Sequence, residues 1–474
     1  MTFAEGSMTY SDLDRCSDAL GSELQSRGVV AGDRVGICIE RSPQMIVAVL
    51  AALKAGAAFV PLDPDLPPGR LALMLSDTAP RVLLADKTGA SLLDLNGVEV
   101  VMAGASWLTA PDSAEEPLNV QIRDDQVACV LYTSGSTGLP KGVLSTHRGI
   151  VNNLRAMQDM YPITSEDCLL QQTSLGFDAA AWAIFWPFSV GARFHLAQPG
   201  GQRDAAYLLE TIAAKRISMV GFAPSMLKVM AGMQDFTGSE HIKRVLSYGE
   251  VLSPGLQDAL FARMPHLELI NLYGPAETAI IVTAWTCERH SVQHAVPLGS
   301  PVSNTEVYLL DAGFEPVPIG VEGEIVIGGV CVANGYHNRP ELTAERFVPH
   351  PFRPESGEKV YRSGDIARFG ADGVIEYVGR RDNQMKIRGV RVELEEIEAA
   401  LVQVPGVRLS VVVPRKEADE WKLIAYAEVI ESAVTPAVIR CTLENVLPPQ
   451  FLPAQIICLP QLPLNVNGKV DRLR

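Results

Sequence analysis

Apolar residues recur at helical spacing near the start of the chain. From Leu13 to Leu24 they return every three or four positions, which predicts an amphipathic helix. Ser11, with Asp14 three residues later, resembles a capping box, and Gly28 supplies a stop signal. The pattern therefore predicts a first helix between Ser11 and Gly28.

Helix and strand patterns then alternate for most of the chain. Ser42 and Pro43 open a second predicted helix, which runs to Lys54 and closes at Gly56. Short apolar runs are typical of buried strands, and they occupy residues 81–86, 127–133, 217–222 and 267–274. Alternating units of this kind predict an α/β protein in which helices cover mostly parallel sheets.

The alternation of helix and parallel-strand patterns ends near residue 380. Helices and strands of a compact α+β unit are predicted at residues 393–404, 409–414, 422–430, 435–447 and 454–460. Residues 379–389 are charged and flanked by glycines, which is typical of a linker. We therefore predict a large N-terminal core domain over residues 1–381 and a small mobile C-terminal domain over residues 382–474, joined by a hinge.

Composition narrows the class of protein. The chain has 474 residues and a formal net charge of −15, and its lysines and arginines form no cluster, so no nucleic-acid partner is expected. No apolar stretch is long enough to span a membrane as a helix, and no secretory signal is evident. The eight cysteines are scattered without a C-x-x-C pair. This usage predicts a cytoplasmic protein without disulfides or structural zinc.

The richest local signal is the segment TSGSTGLPKG at residues 133–142. Its glycines let backbone amides approach an anion closely, and its hydroxyls and lysine add donors. It follows a predicted strand and precedes a predicted helix at His147, but its spacing is not that of a Walker A loop. A polyphosphate site is one interpretation, and a flexible Ser/Gly turn is the other. The candidate anion-binding residues are Thr133, Ser134, Gly135, Ser136, Thr137, Gly138 and Lys141.

This loop resembles the phosphate loop of the adenylate-forming superfamily, which includes acyl-CoA synthetases, luciferases and the adenylation domains of nonribosomal peptide synthetases. Further segments resemble core motifs of the adenylation domains, in the expected order and over nearly the whole chain. They are LKAGAAFVPLD (53–63), FDAAAW (177–182), NLYGPAET (271–278), YRSGDIAR (361–368), GRRDNQMKIRGVRVELEEIE (379–398) and NGKVDR (467–472). The chain is identified as a member of this group, which implies ATP and Mg²⁺ as cofactors and a carboxylate as substrate.

The resemblance implies roles for individual residues around the nucleotide. Glu277 matches the magnesium ligand, and Asp365 matches the carboxylate that binds the ribose hydroxyls. Both roles suit a carboxylate, because Mg²⁺ prefers oxygen ligands and a carboxylate can accept two hydrogen bonds from a diol. The other implied nucleotide-binding residues are Gly249, Asn271, Tyr273, Tyr377 and Arg380.

Two lysines are implied as catalytic residues. Lys469 matches the lysine that contacts the substrate carboxylate and the α-phosphate, where a positive charge reduces the repulsion between two anions. Asp382 matches the hinge about which the small domain would rotate, bringing the region of Lys386 to the site. The acyl group would then pass to the thiol of a phosphopantetheine carried by a peptidyl carrier protein domain.

The substrate class depends on Asp178, which matches the residue that binds the α-amine of an amino acid. A buried ammonium group needs a counter-charge, and the residues around Asp178 are otherwise uncharged. The implied substrate pocket consists of Asp178, Ala179, Trp182, Gly221, Leu246, Tyr248, Leu272, Ile280 and Ile281, with Lys469. This uncharged wall predicts an apolar side chain, aliphatic or aromatic. Gly221 is expected to deepen the pocket, and Tyr248 to shorten it.

Other interpretations stay open at this point. An acyl- or aryl-acid CoA ligase would need no anion for an amine, so Asp178 argues against it, and intact Glu277 and Lys469 argue against an inactive nucleotide-binding scaffold module. The chain starts close to MTYSDL and stops just after NGKVDR, which suggests a piece of a larger synthetase or a stand-alone enzyme. The resemblance extends the expected partners to a condensation domain and a small MbtH-like protein.

Overall fold

A computed structural model describes residues 1–109, 118, 120–135, 138–233, 239–289, 295–417, 420–430 and 434–463. Ser136, Thr137 and Lys469 lie outside the described residues. The α-helices in the described part are Tyr10–Ser26, Pro43–Lys54, Pro68–Thr78, Lys87–Ser91, His147–Met160, Ala179–Val190, Ala205–Lys215, Pro224–Gly232, Pro254–Arg263, Pro340–Arg346, Leu394–Val402 and Pro436–Glu444. Several follow the predicted bounds closely, because proline or a capping side chain marks their first residue.

A six-stranded sheet carries the phosphate loop. Its strands lie in the spatial order Val100–Met102, Val82–Ala85, Arg34–Cys38, Ala58–Pro61, Val127–Thr133 and Lys141–Thr146. The first five run parallel, and the sixth is antiparallel to the fifth. The loop therefore joins two antiparallel strands, whereas the sequence analysis predicted a helix from His147 and no strand before it. The sixth strand was missed because it opens with Lys141-Gly142 and lacks a continuous apolar run.

A nine-stranded sheet packs against the same apolar core. Its strands lie in the order Ser300–Pro301, Thr283–Thr286, Glu268–Tyr273, Arg244–Tyr248, Met219–Phe222, Cys168–Gln171, Arg193–Leu196, Thr2–Phe3 and Gly6–Ser7. The central strands are parallel, and the strands at both edges are antiparallel. Helices Pro43–Lys54 and Ala179–Val190 lie in this core together with strands of both sheets. The helix-covered, mostly parallel sheets are thus as predicted.

A third sheet departs from the parallel pattern. Its strands are Thr305–Leu310, Gly323–Gly329, Phe347–Pro349, Lys359–Phe369 and Ile375–Arg380. Every pairing in it is antiparallel, and the last strand brings the end of the large unit back beside residues 365–369. This sheet places Asp365 next to Arg380, which becomes important at the nucleotide site.

The C-terminal residues form an α+β unit around an apolar core of their own. Its strands are Met385–Ile387, Val390–Val392, Val407–Glu417, Glu420–Val429 and Gln455–Leu459. The core is built from residues 387–456 with no contribution from the large sheets, and it includes Val392, Ile397, Val412, Ile439 and Leu443. The short hairpin lies partly inside residues 379–389, so this segment is a folded arm and not simply a linker. The domain boundary at residues 381 and 382 stays a prediction.

Two observations concern the environment of the chain. Among the described residues, no helix combines the length and the apolarity that a membrane crossing requires. Most of the cysteines are buried, and burial raises the pKa of the Cys38 and Cys129 thiols to about 12, so both are neutral in the folded protein. The cytoplasmic location stays a prediction.

The first helix begins earlier than its sequence pattern indicated. Thr9 lies at the N-cap position, where its hydroxyl oxygen accepts a hydrogen bond from the backbone amide of Asp12 at 3.0 Å. The predicted capping box of Ser11 and Asp14 is therefore wrong, because both residues already lie inside the helix Tyr10–Ser26. The stop near Gly28 is confirmed, since this glycine adopts a left-handed φ of 80° directly after the last turn.

We predict that Thr9→Ala lowers the free energy of unfolding by about 1 kcal/mol, because one amide of the first turn loses its acceptor. Ser11→Ala is the matched control and should change the unfolding free energy by less than about 0.5 kcal/mol. Denaturant unfolding followed by circular dichroism measures both. A larger loss for Ser11→Ala than for Thr9→Ala would restore the original capping box.

Candidate active site

A buried carboxylate faces the phosphate-loop hairpin. Glu277 lies on the 3₁₀ turn Ala276–Thr278, just after a strand of the large parallel sheet, and is fully buried. Its carboxylate accepts a hydrogen bond from the hydroxyl of Tyr336 at 2.8 Å, and the Lys141 ammonium lies 3.4 Å away. The structure therefore brings together Lys141 and Glu277, which lie more than one hundred residues apart in the chain.

A second cation completes this cluster from the C-terminal unit. The guanidinium of Arg391 donates to both oxygens of Glu277, at 3.0 and 2.9 Å. Burial by itself would raise the pKa of Glu277, but Arg391, Lys141 and the Tyr336 hydrogen bond hold this pKa well below 4.5. Burial also lowers the pKa of Lys141, to about 8. Glu277 is therefore an anion at neutral pH.

An ionised carboxylate of this kind suits Mg²⁺, which binds proteins through one or two carboxylates and completes its shell with water and phosphate oxygens. Among the described residues, no group of three or more His, Cys, Asp or Glu side chains could hold a metal. Glu277, a single carboxylate next to the phosphate loop, fits the magnesium role that the resemblance implies. Mg²⁺ does not require a cage of ligands that all come from the protein.

The predicted ribose site is a short chain of charged groups. One oxygen of Asp365 accepts a hydrogen bond from the Tyr273 hydroxyl at 2.7 Å, and the other accepts one from Arg380 at 2.6 Å. Arg380 also donates two hydrogen bonds to the carboxylate of the predicted hinge residue Asp382, at 2.7 and 2.9 Å. Each Asp365 oxygen keeps a further lone pair, so the carboxylate can still accept hydrogen bonds from a diol.

Other predicted nucleotide residues lie where parallel strands end. Asn271 is on the strand Glu268–Tyr273, and its side-chain amide donates to the carbonyl of Pro297 at 2.7 Å. Gly249 follows the strand Arg244–Tyr248 with a left-handed φ of 84°, and Gly389 of the C-terminal arm lies against it. Ligands of α/β proteins bind outside the carboxyl ends of the strands, so this placement is typical of a binding site.

Asp178 stands at the start of the apolar helix Ala179–Val190. Its carboxylate accepts a hydrogen bond from the backbone amide of Ala179 at 2.8 Å, and it forms no ion pair within the described part of the chain. Burial raises the pKa of Asp178 to about 6, and the charge of Lys386 partly opposes this rise. The structure thus holds a partly buried carboxylate that lacks a close cation.

The predicted substrate pocket is largely filled by its own walls. Leu246 has no exposed surface, and Trp182 is 2% exposed. A Cβ atom at Gly221 would lie 2.5 Å from the indole of Trp182 and 2.8 Å from the ring of Tyr248. The expectation that Gly221 deepens the pocket is therefore wrong, because the two rings occupy the space that its missing side chain leaves.

Tyr248 is held firmly in this position. Its hydroxyl lies 3.0 Å from the Thr173 hydroxyl and donates to the carbonyl of Gly221 at 3.2 Å. Its ring meets that of Trp182 edge to face, with centroids 6.3 Å apart. The remaining implied walls, which are also mostly buried, are Ala179, Leu272, Ile280 and Ile281.

Several residues at this site carried no sequence signal that assigned them a role. Arg391 lay inside a resembled motif, but only its contact with Glu277 gives it a place at the site. Glu250 follows Gly249, and its carboxylate accepts hydrogen bonds from the amides of Gly389 and Ser225, at 2.6 and 2.9 Å. Such contacts join segments far apart in the chain, so spacing could not reveal them.

Comparison with known proteins agrees with this arrangement. Residues 1–337 match the family model described as AMP-binding enzyme. The chain is 42% identical over 476 residues to phosphinothricin tripeptide synthetase PhsB of Streptomyces viridochromogenes, a match that covers 98% of this chain and 39% of that protein. Across the first curated relatives the chain spans between 7% and 39% of their length.

Two solved structures share the whole architecture. One is NpsA-ThdA, an artificially fused adenylation–PCP di-domain from Klebsiella oxytoca, with a TM-score of 0.85, 27% identity and coverage of 96% of this chain and 89% of that chain. The other is holo-AB3403, a four-domain nonribosomal peptide synthetase bound to AMP and glycine. Its TM-score is 0.73 at 32% identity, and the match covers 100% of this chain and 35% of that one.

The family match spans residues 1–337, which is most of the chain, and the structure brings Lys141 of the loop hairpin beside Glu277. The alternative of a scaffold unrelated to catalysis loses support from the charged, ordered cluster around Glu277. The chain belongs to the AMP-binding enzyme family, and within it to the adenylation domains of nonribosomal peptide synthetases, which are AMP-forming amino-acid ligases.

Proposed function

We propose that the chain activates an amino acid in two steps. A carboxylate oxygen of the amino acid attacks the α-phosphorus of ATP, the bond between the α- and β-phosphates breaks, and pyrophosphate leaves. The aminoacyl-AMP then reacts with the thiol of a phosphopantetheine on a peptidyl carrier protein domain: a C–S bond forms, the bond from the acyl carbon to the AMP oxygen breaks, and AMP leaves. The two half-reactions need alignment and charge neutralisation more than a protein nucleophile.

The residues of this chain divide these tasks. Glu277 would hold Mg²⁺, which neutralises phosphate charge when it is bound. Amides of the phosphate loop and Lys141 would bind the phosphates, and Asp365 would bind the ribose. Lys469 is proposed to reduce the repulsion between the substrate carboxylate and the α-phosphate, and Lys386 to act in the second half-reaction. Asp382 is the proposed hinge, and the contact between Asp382 and Arg380 gives it a defined starting position.

The observation that carries the amino-acid proposal is the state of Asp178. Asp178 is partly buried and has no close cation, and the ammonium of a bound amino acid would supply the missing counter-charge while covering the carboxylate from water. A fatty or aryl acid has no ammonium and would leave the carboxylate unpaired. The PCP-fused neighbour supports the carrier protein as partner. A condensation domain and an MbtH-like protein are further partners within this proposal.

We propose further that the substrate side chain is apolar and aliphatic. The proposed walls carry no charge apart from Asp178 and Lys469, which argues against acidic or basic side chains. An aromatic side chain needs a larger open pocket than an aliphatic one, and a large open pocket would leave the walls accessible to water. Trp182 and Leu246 are instead almost fully buried, with Tyr248 fixed across the space beside Gly221. The sequence predicted an aliphatic or an aromatic side chain, and the smaller, aliphatic side chains are therefore favoured.

We predict that Asp178→Asn raises the KM for the amino acid about 100-fold, because the bound substrate would bury its charge pair with Asp178, and removing one partner of such a pair costs roughly 2–5 kcal/mol. Amino-acid-dependent exchange of pyrophosphate into ATP measures this effect, with Glu166→Gln, at an exposed site, as the control. An unchanged KM in Asp178→Asn would show that the amine is recognised elsewhere.

A pH dependence is expected from the same group. In the free protein the pKa of Asp178 is raised to about 6, so its ionised form opposes folding, and the unfolding free energy should fall as pH rises through 6. Substrate binding needs the ionised form. The KM for the amino acid should therefore increase as pH falls below about 6, while Asp178→Asn removes both dependences. Chemical unfolding between pH 5 and about 8 tests the fall in unfolding free energy, and exchange kinetics over the same range test the rise in KM at low pH.

A panel of amino acids in the exchange assay tests the proposed upper limit on the size of the substrate side chain. We predict that aliphatic substrates are preferred, and that Tyr248→Ala increases kcat/KM for phenylalanine at least about tenfold by opening the pocket, since tenfold is about 1.4 kcal/mol. Tyr248→Phe keeps the ring and serves as the control that should leave the limit in place. Best activity of the wild-type protein with phenylalanine, tryptophan or a charged amino acid would contradict the proposal.

A further inference from the structure

The loop that leads to Asp178 ends in a tight turn. This amine loop, residues 172–178, joins a strand of the nine-stranded sheet to the apolar helix that follows it. The backbone amide of Phe177 donates to the carbonyl of Ser174 at 3.0 Å, so residues 174–177 form a turn directly before Asp178. The position of the Asp178 carboxylate therefore depends on how this turn is fixed.

The hydroxyl of Ser174 ties the turn to another part of the chain. It accepts a hydrogen bond from the backbone amide of Gly176 at 3.2 Å and donates its proton to the carboxylate of Asp63. Because a hydroxyl has a single proton, a carboxylate acceptor also sets the direction of its lone pairs. Asp63 follows the strand Ala58–Pro61 of the six-stranded sheet, and its other oxygen accepts a hydrogen bond from the amide of Asp65 at 2.9 Å. Asp63 is therefore fixed itself and holds the turn through one side chain.

A cation anchors the start of the amine loop. The guanidinium of Arg41 donates to the carbonyl of Gln172 at 2.6 Å and to the side-chain oxygen of Gln202 at 2.9 Å. Burial lowers the pKa of Arg41, and the charges of Asp63 and Asp65 oppose this change, so the three groups lie within electrostatic reach of one another. A charged donor forms a stronger hydrogen bond to a carbonyl than a neutral donor does. Arg41 and Asp63 thus hold the loop at two nearby points.

Close packing contributes less to the end of the loop. Leu175 is buried in the apolar core, but Phe177, the residue before Asp178, has 40% of its surface exposed. A cleft with an empty volume of about 510 Å³, partly open to solvent, is lined by both Asp63 and Ser174. Their contact is therefore not enclosed by close-packed side chains, and hydrogen bonds decide where the turn delivers Asp178.

We propose that Asp63 and Ser174 are positioning residues for the amine site, because they fix the turn that places the carboxylate of Asp178. A binding group works well only when supporting contacts hold it within about 0.5 Å of the productive geometry. The inference rests on the proposed function, which gives Asp178 the substrate ammonium as its partner, and it adds the residues that keep the carboxylate in place for that partner.

The KM for the amino acid, measured by exchange of pyrophosphate into ATP, tests the inference. We expect Ser174→Ala to raise this KM about tenfold and to leave the KM for ATP within about twofold, since a misplacement of about 1 Å can cost up to about 100-fold. Ser174→Thr keeps a hydroxyl and should restore most of the wild-type KM. Ser189→Ala, at an exposed position near the end of the helix Ala179–Val190, is the matched control and should behave like the wild type.

A double-mutant cycle separates positioning from general damage. In an Asp178→Asn background no ionised carboxylate remains to be placed, so Ser174→Ala should raise the KM for the amino acid there by less than about twofold. Asp63→Ala should show the same dependence on the background. Because the two side chains act through one contact, combining Asp63→Ala with Ser174→Ala should add little to the effect of either change.

Hydrogen–deuterium exchange of the free protein supplies a readout that needs no substrate. Ser174→Ala should speed exchange of the Gly176 and Phe177 amides at least about tenfold, because the turn loses a hydrogen bond to a charged group. Amides of the helix His147–Met160 should exchange as in the wild-type protein, which shows that the fold is intact.

Faster amide exchange without any change in KM would show that the contact only stabilises the turn, and would overturn the inference. An equal rise in KM with and without Asp178→Asn would also overturn it, because the effect would then not pass through Asp178. Both outcomes leave the proposed function standing. A wild-type protein without amino-acid-dependent exchange would instead refute the proposed function, and this inference with it.

Discussion

The arrangement of the site depends on keeping the carboxylate of Glu277 charged inside the protein. A bare anion at that depth would cost several kcal/mol or more, and it persists because Lys141, Arg391 and Tyr336 surround it. These partners come from the phosphate-loop hairpin, the C-terminal arm and the segment between the strands Gly323–Gly329 and Phe347–Pro349 of the third sheet. One buried charge therefore ties together three parts of the chain that have no sequence relation, and it sets the polarity of the place where phosphates would bind.

The two units adhere through a different kind of contact from the one that holds each unit together. Each unit has its own apolar core, whereas the contacts around the site are ion pairs and hydrogen bonds, such as those of Glu396 with Arg70 and Gly135. Apolar burial is not easily reversed in water, but charged contacts can be exchanged for those of a ligand. This division allows a unit to move without exposing its core, which is what a hinge at Asp382 would require.

The proposed selection of the substrate rests on another physical principle, the exclusion of volume. The proposed walls beside Asp178 would select a side chain mainly by its size, because they offer little that could attract one aliphatic side chain over another. Tyr248 is held beside Gly221 because its hydroxyl bonds to Thr173 and to the carbonyl of Gly221. A hydrophobic pocket of this kind rejects larger side chains more sharply than smaller ones, since a smaller side chain loses only about 1–3 kcal/mol per missing methylene.

The sequence by itself determined the fold class, several of the elements and the order of the motifs. Apolar spacing located several helices and parallel strands, because their burial is periodic and local, and the motif resemblance implied roles for Glu277 and Asp365. Tertiary structure decided the rest. The contact of Arg391 with Glu277 joins residues 114 positions apart, and the rings that fill the space beside Gly221 come from different strands and helices. No periodicity encodes such contacts, because they depend on how separate elements pack.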